Sequence, residues 1–166
     1  MKLLYVLLLM PIILLAGCTS KEVMKMKLES PDLGEFVPAR FTCDGEDINP
    51  ELRWSEVPEG TKSFALMVWD PDAPMGTFIH WMVYNIPADK REIKQGEIPG
   101  KQVINDFGKE NYGGPCPPSG THRYFFTLYA LDVEDLGDIK DKHEFTSKVE
   151  EHTIAKAEIM SKYSRP

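Results

Sequence analysis

Apolar residues gather in short runs separated by polar, Gly- and Pro-rich stretches. Three runs stand out, at residues 63–69, 78–86 and 123–131. Each is rich in aromatic and β-branched residues, is close to strand length, and is bounded by Pro, Gly or Asp, which predicts three central strands. In the first and third, both alternating faces are apolar, so those strands are expected deep in the core. Weaker patterns predict strands at 24–28 and 35–42. Between them lie a Pro- and Asp-rich loop at 70–77 and a long Gly- and Pro-rich loop at about 95–120. A loop of that second length in one domain is usually functional. One helix is predicted over 147–161, opened by a Ser147/Glu150 capping box. Val149, His152, Ala155, Ile159, Met160 and Tyr163 form its apolar stripe. The expected fold is mainly β, an antiparallel sandwich with a flanking C-terminal helix.

The N-terminus has a different character. Met1 and Lys2 precede an apolar run from residue 3 to 16 that contains Pro11. It is shorter than the roughly 20 residues a membrane-crossing helix needs, and it has the layout of a secretory signal. The run ends Leu15-Ala16-Gly17-Cys18, which resembles a lipobox, where the cysteine thiol takes a diacylglyceryl group. The expected organisation is a signal peptide at 1–17, a lipidated Cys18 with tether at 18–26, and one domain at 27–166. Localisation follows: lipid-anchored at the cell membrane, outside the cytoplasm. An ordinary cleavable signal with an incidental Cys18 is the alternative.

Charge narrows the partners. The chain carries 26 acidic against 19 basic residues, a net charge of −7, and removing the leader takes away only the basic Lys2. Nucleic-acid binding needs clustered Lys and Arg and is not expected. Cys43 and Cys116 remain beyond the anchor. In an oxidising compartment they can be bonded; two buried thiols are the other possibility. No Cys-x-x-Cys occurs, which disfavours redox catalysis and a Cys-rich zinc site. No metal or cofactor is expected.

Unusual polar residues concentrate at the predicted strand ends. Asp70-Pro71-Asp72-Ala73-Pro74 pins two carboxylates after the first central strand; a rigid turn capped by Asp explains one of them. His80-Trp81 lies inside the second strand, where a lone His is often a satisfied core residue. Gly113 to Tyr124 runs straight into the third strand, with His122 and Tyr124 on one face. Together Asp70, His80, His122 and Tyr124 suit a small anion pocket, with donors from imidazole, phenol and loop amides.

These segments resemble the phosphatidylethanolamine-binding proteins, also called Raf kinase inhibitor proteins, in their bacterial and archaeal branch. The resemblance rests on Asp70-Pro-Asp-Ala-Pro74, His80-Trp81, and Gly-Pro-x-Pro-Pro-x-Gly-x-His-Arg-Tyr at 114–124. The stretch Phe41 to Pro50, with Leu52 and Trp54, looks like the family's N-terminal signature, and His152 to Glu158 like its C-terminal helix. The likeness spans about residues 28–163. It implies a sandwich whose pocket takes phosphate or a phosphorylated head group. By resemblance Asp70 and His80 line that pocket, with Cys116, Pro117, Pro118, His122 and Tyr124 around it. Asp72, Pro74 and Trp81 support it. Cys116 stands where other members often carry another small residue, so the rim is expected to differ.

The first functional reading is therefore a membrane-anchored binding protein for phosphate or a phospholipid head group, with regulation of a partner protein as a further expectation. An inhibitor of an exported protease or other surface protein is the alternative. A hydrolase using His122 or His80 with Asp70 ranks last, because no Ser or Cys nucleophile sits in a recognisable elbow.

Overall fold

The computed structural model describes residues 26–166. The signal segment, Cys18 and nearly all of the tether fall outside the described residues. Eight strands and one α-helix follow in order: β1 (Lys27–Glu29), β2 (Leu52–Ser55), β3 (Ser63–Asp70), β4 (Phe78–Pro87), β5 (Glu92–Ile93), β6 (Lys101–Gln102), β7 (His122–Leu131), α1 (Lys142–His152) and β8 (Thr153–Tyr163). They form two antiparallel sheets, β1-β2-β5 and β6-β4-β3-β7-β8.

The three runs of aromatic and branched residues become β3, β4 and β7, the middle of the larger sheet. Strand alternation divides their side chains between two apolar layers. Phe64, Leu66 and Val68 of β3 face the smaller sheet, with Phe126 and Leu128 of β7. They pack there against Leu28, Leu52, Trp54 and Ile93, which makes a sandwich core. Ala65 of β3 faces the other way, where Phe145 and Val149 of α1 join Met82 and Leu131 in a second cluster. Burying any one of these large side chains is worth about 1.5–3 kcal/mol.

The C-terminal element differs from the expected helix at 147–161. The helix is earlier and shorter, and a strand follows it without a break. Asp141 caps α1, accepting from the amides of His143 and Glu144 at 2.9 Å each. Ser147 lies inside the helix and opens nothing. Only Phe145 and Val149, four apart, are buried along it. From Thr153 onward the burial alternates, with Ile154, Lys156, Glu158 and Met160 outward and Ala157, Ser161 and Tyr163 inward. The physical reason is the edge of β7. Its full length, from His122↔Tyr163 to Leu131↔Thr153, is paired by β8, and that ladder outweighs a weak helical periodicity.

Two further expectations change. The region 35–42 is not a strand. It makes one bridge, Phe36 to Lys162, and then a 3-10 turn at Ala39–Phe41 introduced by Pro38. The weak N-terminal strand is found as β1, three residues long. β2 and β5 were not anticipated: β2 has four residues and β5 two, too few to show a period.

Cys43 and Cys116 are joined by a disulfide with a Cα–Cα distance of 5.5 Å. It ties the turn after Phe41 to the loop that enters β7. Beside it, the Cys43 amide donates to the Pro115 carbonyl at 3.2 Å.

Candidate functional site

β3 ends at Asp70, β4 begins at Phe78 and β7 begins at His122, so three strand ends meet at one end of the large sheet. The loops from those ends enclose a cavity of about 260 Å³. Its wall carries Asp70, His80, Cys116, Pro117, Pro118, His122 and Tyr124, brought together from three separate segments. Pro74 joins them. Asp72 and Trp81 do not line the cavity. Asp72 points away and is clasped by Arg123, whose Nε and Nη2 donate to it at 2.9 and 2.6 Å. Trp81 packs against Tyr112 on the core side and donates to Gln102 at 2.6 Å.

Asp70 and His122 form the polar centre. His122 Nδ1 lies 2.7 Å from Asp70 Oδ2. The carboxylate's other oxygen accepts the Asp72 amide at 2.7 Å, as the Pro-restricted turn requires. Both side chains are buried, Asp70 at 3% exposure and His122 at 7%. The carboxylate fixes the imidazole with Nδ1–H toward itself, and Nε2 is left without a partner among the described residues.

His80 is placed by a β-bulge. Val68 pairs with Trp81 and Trp69 with Ile79, so His80 is the extra residue between them. A bulge of this kind re-aims a side chain. The His80 ring lies edge to face against Phe78, Phe107 and Tyr124, with centroids 5.2 Å apart in each case. Its Nδ1 sits 2.6 Å from the Gly113 carbonyl. A carbonyl only accepts, so Nδ1 carries the hydrogen. Burial disfavours the imidazolium and lowers its pKa. His80 is thus neutral, with an Nε2 lone pair as its remaining polar group. The loop is locked in return: the Gly113 amide and Asn105 Nδ2 donate to the His80 carbonyl at 3.1 and 2.8 Å.

Tyr124 completes the set. It is fully buried, and its hydroxyl has no hydrogen-bond partner among the described residues. The Asp70 carboxylate and the Cys116 amide lie close enough to affect its titration, but neither meets ordinary hydrogen-bond geometry. Burial first, then the Asp70 charge, push the phenol well above the usual tyrosine range, so it remains a donor. An unsatisfied buried hydroxyl costs about 1–3 kcal/mol. A ligand acceptor in the cavity would remove that cost.

The entry loop leaves little room for variation. A Cβ on Gly114 would lie 2.4 Å from the Phe41 carbonyl oxygen and 2.7 Å from Asp47 Oδ1. That carboxylate holds the Gly114 amide at 2.6 Å. The remaining wall is apolar: Ala73, Met75, Phe78 and Phe107. Sequence reasoning missed these four. Phe78 was within reach of it, two residues before His80 on the same strand. Phe107 gave no signal, because only the fold carries its loop to the cavity. Among the described residues no group of three His, Cys, Asp or Glu is arranged to hold a metal ion.

A two-sheet fold with a small polar-centred pocket at its strand ends defines a class of binding proteins. The family model described as phosphatidylethanolamine-binding protein matches residues 28–164, and the chain belongs to that family. Bacterial and archaeal proteins are among those the chain resembles. A UPF0098 protein of Aquifex aeolicus is 48% identical over 160 residues, 90% of this chain and 92% of the relative. The UPF0098 protein YbhB of Escherichia coli is 42% identical, over 84% of this chain and all of the relative. Two crystal structures share the fold. A phosphatidylethanolamine-binding-protein homologue from Chlamydia trachomatis has TM-score 0.80 and 37% identity, over 86% of this chain and 99% of the other. E. coli YbcL, described as a new member of the mammalian family, has TM-score 0.80 and 34% identity with the same coverage.

Proposed function

We propose that this protein binds a phosphorylated anion, phosphate or a phospholipid head group, in the Asp70–His122–Tyr124 cavity, and that lipid on Cys18 holds it at the outer side of a membrane. The observation that carries the reading is Tyr124: a buried phenol with no partner, beside a His–Asp pair whose Nε2 is open. A phosphoryl group supplies what these atoms lack. Its anionic oxygens accept from the Tyr124 hydroxyl and from His122 Nε2 once that nitrogen is protonated. The donor to the His80 lone pair is a P–OH in phosphate or a phosphomonoester, and the ammonium in an ethanolamine phosphodiester, which has no P–OH. Asp70 balances the imidazolium, so the buried charges pair rather than accumulate.

Binding is better supported than turnover. Asp70–His122 is the kind of pair that acid–base catalysis uses. Apart from Tyr124, however, no hydroxyl or free thiol among the described residues lines the cavity, since Cys116 is in a disulfide. The test is calorimetric titration of phosphate, phosphoethanolamine and a short-chain phosphatidylethanolamine. Saturable binding that is lost in His122→Ala supports the reading. A folded protein that binds none of them at millimolar concentration overturns it and moves a protein partner to first place.

A further inference from the structure

The mouth of this cavity has an unusual composition. Met75 is fully exposed, at 100%, and Phe107 is 42% exposed. Pro74 and Pro118 are exposed beside them. These four come from three loops far apart in sequence, yet all line one opening. No Lys, Arg or Glu lines the cavity, and its one carboxylate, Asp70, is 3% exposed. The Lys109 ammonium stands beside the rim, 5.6 Å from the centre of the Phe107 ring; in a chain that is 27% charged, a convergent apolar rim of this kind is a departure from the rest of the surface.

We propose that this rim is a membrane-docking surface: Met75, Phe107, Pro74 and Pro118 enter the interface of a phospholipid bilayer and set the cavity over a head group. The inference rests on the head-group reading above and adds the surface that would deliver the ligand. Two further observations favour a bilayer as the occupant. The first is area. Four side chains cover on the order of a few hundred Å², well short of the roughly 1,200 Å² of a stable protein interface. Shallow insertion into a bilayer interface needs no more than this. The second is reach. The described chain begins at Met26, in a groove formed with Lys156, Ala157 and Glu158 of β8. From Ala157 to Tyr163, which pairs with His122 at the cavity end, the strand advances about 20 Å. Residues 18–25 span up to about 28 Å when extended. An anchored Cys18 can therefore lie level with the mouth.

The test uses residues 19–166 without lipid. This stretch holds every described element, and the E. coli relative is matched over its full length by 84% of this chain. The domain is mixed with neutral phosphatidylcholine vesicles and partition is measured by co-sedimentation. Wild-type protein is expected to partition, with little change between low and high salt. Met75→Asp is expected to lower partition about tenfold. Met160→Asp, at an exposed apolar residue on β8 away from the mouth, is expected to leave it unchanged. In the wild type, vesicles should slow peroxide oxidation of Met75 relative to Met160. No partition, partition indifferent to Met75→Asp, or partition abolished by salt overturns the proposal. A phosphate titration on the same wild-type sample separates the two readings. Phosphate binding without vesicle binding sinks the docking surface alone, and loss of both sinks the pocket as well.

Discussion

Two acid–base pairs lie at the same strand ends, their carboxylates two residues apart and their bases adjacent, and they differ in almost every respect. Asp70 meets His122 inside the cavity wall, where both are nearly inaccessible. Asp72 meets Arg123 outside it, with half of the arginine side chain in solvent. Alternation along β7 sends His122 inward and Arg123 outward. The Asp70-Pro-Asp turn does the same for the carboxylates. The outer pair uses all of its geometry on itself: the arginine forks onto the carboxylate, which also takes the Arg123 amide at 2.9 Å. The inner pair leaves one imidazole nitrogen open, next to an unpartnered phenol. A satisfied pair braces a loop; an unsatisfied one in a cavity is a candidate site.

Both pairs depend on the loop entering β7, so the largest effect should come from releasing it. The disulfide closes a chain separation of 73 residues. Removing it with Cys43→Ser and Cys116→Ser is expected to cost about 4 kcal/mol in denaturant unfolding, by loop-closure entropy, and to weaken ligand binding. Next is the inner pair alone. Asp70→Asn leaves a buried imidazole facing the wrong group and should cost about 2–3 kcal/mol, with phosphate binding lost.

Tyr124→Phe sharpens the contrast further. It should weaken phosphate about tenfold, yet leave the free protein unchanged or more stable by up to about 1 kcal/mol, because an unsatisfied hydroxyl is removed. Equal losses of binding and stability would mark Tyr124 as ordinary core. The smallest effect belongs to the outer pair. Asp72→Asn should cost at most about 1 kcal/mol, as surface ion pairs do. Hydrogen bonds from Arg123 hold the Asp72 pKa down to about 2. A depressed carboxylate pKa stabilises the fold above the ordinary value of about 4, and that contribution fades as pH falls toward 2. Acid titration of the mutant should therefore lack this part of the wild-type loss.

The central strands were legible because long aromatic and branched runs admit one reading. So were Asp70, His80, His122 and Tyr124, which sit at the ends of those runs within distinctive Pro- and Gly-rich motifs. The C-terminus was not. Ala155, Ile159 and Tyr163 fit a helical stripe almost as well as a strand, and the free edge of β7 decided between them. His80 illustrates a subtler limit. Simple alternation places it opposite Trp81, but a bulge that depends on pairing with β3 sets its actual direction. Phe107 reaches the cavity wall because Asn105 and Gly113 fasten its loop to His80 and Asp106 fastens it to Ile79.

The most direct test of the central claim is ¹⁵N NMR of the histidine rings during titration with phosphoethanolamine. The account predicts that His122 becomes doubly protonated as ligand binds, while His80 stays neutral with its hydrogen on Nδ1. Saturable binding that leaves the His122 ring nitrogens unmoved, or that protonates His80 instead, would contradict it.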